Sequence, residues 1–361
     1  MAEEIHVMTE RERVETLLKR GKPDRVPIWP FAPHGFAAIY NNLTLNEAYT
    51  NPKASYEAQQ KTARDFGWVF CPALMYASFG AWEFGGEITM PTGEFDQAPT
   101  IVRHPVSTEE DAWNLKPPSG PAGFMETAAA FSRLAEKERL DNEPFNASIG
   151  AGGSFSMAVN LAGPDRFLRW MMRKPEIAHH LLRLVTDWKL SGLPAARERV
   201  GLEGVLPRGG EAMATNQMIS PKHCREYVIP YFREVQEKVL DMGYRTTWCH
   251  LCGDQNLNLP LWAEVPFGDP GIISLGHEVP LERAGEFLPQ HIIMGNLDPS
   301  IVQTGTPEQV YEATAQVVQE GKKLPGGYIF SLGCDVPPYA SPENVMAVTR
   351  AVNDYGWYDT A

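Results

Sequence analysis

The sequence predicts an α/β chain folded as a single (β/α)8 TIM barrel. Short β-branched or apolar runs alternate with amphipathic helical stretches, and no Ser- or Pro-rich linker divides the 361 residues. Four strand-then-helix units in succession also call for parallel strands joined by right-handed crossovers. The competing architecture is an open, doubly wound sheet.

The second half carries the pattern most clearly. A helix over 224–242 stops at Gly243, and residues 244–249 follow as a strand. Residues 271–275 form the next expected strand, 280–287 a short helix, and 291–294 a strand closed by Gly295. Thr306 and Pro307 then open a helix that runs to Gly321, the hydroxyl capping free amides and the proline occupying the first helical position. A strand over 327–332 precedes a last helix, opened by Ser341-Pro342-Glu343 and ended at Gly356.

In the first half, Thr9 caps a helix with Val14, Leu17 and Leu18 at helical spacing. Residues 26–29, 68–70, 145–149 and 204–207 are expected strands, and a long helix begun near Pro164 continues through 177–190. That makes about eight strands. Residues 1–361 are thus read as one domain, with 1–25 an N-terminal helical segment.

With 32 basic against 45 acidic residues the formal charge is −13, which argues against nucleic acid or an anionic membrane as partner. Hydrophobic residues at 43% supply a large core, so disorder is excluded. The most apolar stretch, 149–163, is interrupted by Ser154, Ser156 and Asn160 and is too short to span a bilayer. No secretory signal is expected from the acidic start. Five cysteines, an odd number thinly spread, do not make a disulfide framework. The expectation is a reduced, cytoplasmic protein with thiols free for chemistry.

His250-Leu251-Cys252 directly follows an expected strand, and residues two apart on extended chain point the same way. Cys334 lies just past another strand, so the barrel would bring it to the same carboxyl-end rim, where this fold places active sites. Imidazole with two thiolates suits zinc, and three protein ligands leave a fourth position open for chemistry. Spacing alone equally allows a hydrogen-bonded barrel histidine and two small buried cysteines. Cys71, Cys224 and Cys249 are expected to be buried. Glu211, Asn296, Asp298 and His277 fall near strand ends and are further candidates for a ligand or substrate-binding role. A solvated Glu211 and a turn-capping Asn-Leu-Asp-Pro explain three of these positions equally well.

The ordered set Arg11-Glu-Arg-Val, Pro23-Asp-Arg-Val-Pro27, Gly153-Ser-Phe-Ser-Met, Ile219-Ser-Pro221, Tyr227-Val-Ile-Pro230, His250-Leu-Cys-Gly253 and Gly295-Asn-Leu-Asp-Pro299 resembles the uroporphyrinogen decarboxylase superfamily. Within it, the His-X-Cys pair with a distant Cys resembles the corrinoid-dependent methyltransferase branch. That branch includes methylcobamide:coenzyme M methyltransferases, the methyltransferase part of chloromethane dehalogenase, and O-demethylases.

The resemblance implies a (β/α)8 barrel with zinc on His250, Cys252 and Cys334 as the catalytic centre. It further implies methyl transfer between cobalamin on a separate corrinoid protein and a small acceptor or donor, such as a thiol of coenzyme M type. The alternative is an O-demethylase that moves methyl from a methoxylated aromatic to cob(I)alamin. Trp29, Phe31, Tyr76, Phe79, Trp82, Phe84 and Tyr339 are available to line an aryl pocket, although core burial is the favoured reading for most of them.

Uroporphyrinogen decarboxylation is the least favoured activity. The decarboxylases resembled hold an octacarboxylate with arginines after the first strand, and residues 28–35 contain none. Nor does any aspartate stand between Asp65 and Asp96, where those enzymes carry one.

Overall fold

A computed structural model describes residues 7–93, 96–137, 140 and 142–358; residues 1–6 of the expected N-terminal segment lie outside them. Strands β1 (Glu87–Thr89) and β2 (Thr100–Arg103) form an antiparallel pair. Strands β3 (Ala147–Gly150), β4 (Val205–Glu211), β5 (Trp248–Leu251), β6 (Ile272–Leu275), β7 (Ile292–Leu297) and β8 (Tyr328–Leu332) pair in parallel, in sequence order.

Two irregular extended segments close the barrel. The Trp29 amide donates to Phe330 O at 2.9 Å, and the Phe330 amide to Pro27 O at 3.0 Å. Val69 N reaches Ile28 O at 2.8 Å, and Phe70 N reaches Asn142 O at 3.0 Å, just ahead of β3. Residues 26–29 and 68–70 therefore occupy the first two barrel positions without forming full ladders. Pro27 and Pro30 have no N–H to donate, which removes rungs where the first segment meets its neighbours.

Along each barrel strand, alternate side chains take opposite faces. Leu206, Trp248, Ile272, Ile292, Met294 and Ile329 fill the interior with Trp29, Phe31 and Val69, whereas Cys249, Leu251, Ile273 and Phe330 pack outward against the helices. The barrel is thus a filled core with its polar positions toward the carboxyl end.

Several expected elements differ in their bounds. The strand expected at 244–249 begins only at Trp248, because Thr246 pairs antiparallel with Gly268 ahead of it. His250 therefore lies within β5 instead of beyond it. The strand expected at 204–207 runs on to Glu211. The long helix from Pro164 is two helices, Pro164–Arg173 and Pro175–Val200, since proline disfavours helical geometry at the residue before it and Lys174 sits at φ −146°. The helix expected over 224–242 contains a π turn, Cys224–Val228, before Ile229–Asp241; Pro230 lacks the amide that would continue the regular ladder. The expected caps at Thr9, Thr306 and Ser341 all accept from first-turn amides. No helix among the described residues is long and apolar enough to cross a membrane.

Candidate metal centre

His250 points inward from β5, Cys252 stands one residue past its end, and Cys334 follows β8 after Gly333. Their ligand atoms all lie within 4.8 Å of one another. Cys252 Sγ and Cys334 Sγ are 4.0 Å apart, and both cysteines are free thiols. Local backbone fixes the two thiols. Gly253 turns the chain at φ +66°, where a side chain would be strained, and Gln255 Nε2 donates to Cys252 O at 2.9 Å. Gly333 donates to Leu297 O at 2.8 Å, and a Cβ there would lie 2.6 Å from His277 N.

The His250 ring is held from three sides. Ser274, its register partner on β6, has Oγ 3.0 Å from Nδ1. Phe31 stacks on the imidazole with centroids 4.2 Å apart, and Trp248 lies parallel at 6.3 Å. With Ser274 Oγ accepting from Nδ1–H, Nε2 presents a lone pair, and Nε2 is buried without a hydrogen-bond partner.

An orphaned imidazole nitrogen beside two thiols is the donor set that a zinc ion satisfies. The thiols alone resist double ionisation. The hydrogen bond between them holds Cys252 below the ordinary thiol value and pushes Cys334 up to about 12, burial adding to the rise. A divalent cation would remove that conflict by stabilising both thiolates.

The other expected site residues have different surroundings. Glu211 occupies the outward parity of β4 and is fully buried. Its carboxylate accepts from Phe155 N and Ser156 N, each at 3.0 Å, and from Ser156 Oγ at 2.6 Å, capping the helix Phe155–Ala162. Asn296 faces inward from β7, but its Nδ2 is engaged by Gly276 O at 2.9 Å and Val279 O at 2.6 Å. Asp298 caps the helix Pro299–Thr304 through Ser300 N at 2.8 Å. His277 sits on the rim with Nδ1 3.6 Å from Glu278.

Two neighbours of the site were not singled out in the sequence. Ser274 interrupts an apolar strand, a signal that was present in Ile-Ile-Ser-Leu. The Glu278 carboxylate raises the Cys252 thiol electrostatically and keeps a buried Oε2 without a hydrogen-bond donor.

Of the aromatics expected around an aryl pocket, Trp29, Phe31, Tyr76 and Phe84 are buried in hydrophobic core, and Phe31 is the one stacked on His250. Glu83, in the stretch lacking an aspartate, accepts from Tyr76 Oη at 2.7 Å, Gly80 N at 2.7 Å and Phe124 N at 3.0 Å. It is a structural carboxylate. Cys224 and Cys249 are buried, and Cys71 is partly so.

Comparison with known proteins agrees with this architecture. The methylcobamide:CoM methyltransferase MtbA of Methanosarcina acetivorans is 25% identical over 362 residues, covering 96% of this chain and 98% of that protein. A uroporphyrinogen decarboxylase from Anaeromyxobacter sp. is 23% identical over 352 residues, covering 92% and 96%. A solved structure of a methyltransferase from Methanosarcina mazei superimposes with a TM-score of 0.77 at 18% identity, over 96% of this chain and 99% of that one. The sequence model of the uroporphyrinogen decarboxylase (URO-D) family matches residues 9–355, and the chain belongs to that family of barrel enzymes.

Proposed function

We propose that the chain is a zinc-dependent methyltransferase that exchanges a methyl group between cobalamin on a partner corrinoid protein and a small molecule, a thiol of coenzyme M type being the favoured acceptor. The observation that carries this reading is the convergence of His250 Nε2, Cys252 Sγ and Cys334 Sγ at the barrel mouth, with the imidazole nitrogen otherwise unpartnered. Three such ligands leave one position for a substrate atom. The naming of MtbA relatives as methylcobamide:CoM methyltransferases supports the same assignment.

Zinc held there would supply Lewis acidity, lowering the pKa of a thiol bound at the open position. The remaining work falls to this chain's own groups. Ser274 occupies Nδ1 and orients the ring, so Nε2 is the nitrogen left available for coordination. Phe31 and Trp248 fix the ring plane and exclude water from its faces. The strand ends at Leu251 and Leu332 hold the two thiols on a rigid frame facing the mouth, through which a corrinoid face must approach.

Decarboxylation of an octacarboxylate is not favoured, because residues 28–35 bring Phe31 and no arginine to the site. Four of the seven aromatics named for the demethylase alternative, Trp29, Phe31, Tyr76 and Phe84, are spent on hydrophobic core, which leaves it Phe79, Trp82 and Tyr339. Five free cysteines fit a reducing, cytoplasmic setting.

The test is spectroscopic. Zinc-loaded protein incubated with methylcobalamin and mercaptoethanesulfonate should convert the methylcobalamin absorption spectrum in a thiol-dependent manner, and the Cys252→Ser variant should not. Conversion of uroporphyrinogen with no corrinoid reaction would overturn the assignment.

A further inference from the structure

The barrel mouth holds a second unmatched polar group. Arg208 faces inward from β4, opposite Trp248 in the register, with its guanidinium carbon 4.9 Å from the centroid of that ring. One terminal nitrogen lies 3.4 Å from Pro72 O and 3.7 Å from Cys71 Sγ, while Nε is buried without a partner. Arg208 makes no ion pair with any described residue. The buried Glu143, whose charge acts with that of Arg208 on the Cys71 thiol, accepts from Leu140 N at 2.9 Å.

Space adjoins this cation. Gly150 of β3 is the register partner of Arg208 on the other side. Ile149 packs outward with Val205 and Leu193, so Gly150 takes the inner face. A Cβ built at Gly150 would meet nothing within 4 Å, and the residue is exposed despite lying in a barrel strand. Gly210, opposite His250, likewise contributes no side chain to the wall between Arg208 and the metal centre.

A guanidinium held partly buried with an unpartnered Nε, and with no ion pair among the described residues, is costly unless a ligand completes it. Its planar fork suits an oxyanion, and cation–π stacking on Trp248 fixes its orientation. In a chain of net charge −13, a negatively charged substrate also needs such a local cation.

We propose that Arg208 binds the anionic end of the small-molecule substrate, a carboxylate or sulfonate, while the other end reaches His250, Cys252 and Cys334. This rests on the methyltransferase reading for the role of those three residues. Arg208 would then determine specificity for charge, separately from the chemistry at the metal.

The test measures binding by calorimetry on the zinc-loaded full chain, using two probe pairs, each an anion and a neutral analogue with the same reacting end. Mercaptoethanesulfonate is compared with mercaptoethanol, and methoxybenzoate with methoxybenzyl alcohol. In at least one pair the anion should bind ten-fold or more tightly than its neutral partner, and Arg208→Gln should abolish that preference without changing zinc content. Arg208→Lys, which keeps the charge but loses the fork, should retain part of it. Equal binding of anion and neutral partner in both pairs, absence of binding by all four probes, or a preference that survives Arg208→Gln would each overturn the assignment. A charge preference that holds while methylcobalamin is untouched would count against the methyltransferase reading alone.

Discussion

Ser274→Ala is the most discriminating single change near the centre, because it leaves every proposed ligand in place. The substitution deletes the one partner of His250 Nδ1 at 3.0 Å, in a ring only 6% exposed. A buried donor left unsatisfied costs about 1–3 kcal/mol. Loss of a partner that orients a metal-ligating imidazole typically weakens metal binding about 10- to 100-fold, or roughly 1.4–2.8 kcal/mol. Both routes lead to the same size of effect, and β6 keeps its backbone pairing with β5 and β7. Zinc affinity at pH 7 should therefore fall by one to two orders of magnitude, with unfolding stability reduced by about 1–3 kcal/mol. Competition against a chromophoric chelator measures the first and urea unfolding of the metal-free protein the second. Unchanged zinc affinity in a folded Ser274→Ala protein would refute the claim that Nε2 is poised by its neighbour for a metal.

Two further outcomes follow from the same structure. Cys252→Ser and Cys334→Ser should each leave the purified protein with well under one zinc per chain, since losing a thiolate removes several kcal/mol of binding; metal analysis after dialysis checks this. Acid should destabilise the fold between pH 6.5 and about 4, because burial lowers His34 and His291 from 6.5 to about 4. In that window the unfolded chain binds protons the folded one refuses, so stability falls as pH falls, by roughly 3 kcal/mol for each histidine. Urea midpoints at pH 7 and 4.5 should show a smaller loss in His34→Gln than in the parent, and identical losses would contradict the assignment to His34.

The histidine and the two cysteines were legible because the alternation of β5 and the position of Cys334 after β8 depend only on strand parity and barrel order. Parity also explains the failure at Glu211. With β4 taken to end near Pro207, Glu211 looked like a rim residue, but the strand continues and puts it on the outward side as a helix cap. Asn296 and Asp298 were placed near the right strand end, yet backbone groups of the following turns absorb their polar atoms, which spacing cannot foresee. The first two barrel positions were weak in the sequence for a physical reason: prolines at 27 and 30 thin the ladder that would have marked a strand. Arg208 escaped notice because an arginine in a Gly-rich strand end reads as solvent-facing until its register with Trp248 is known.

Zinc X-ray absorption on the purified protein, with and without mercaptoethanesulfonate, tests the central claim most directly. The account predicts one zinc per chain with two sulfur ligands at about 2.3 Å, rising to three when the thiol is added. Absence of zinc, or a zinc shell without sulfur, would contradict it.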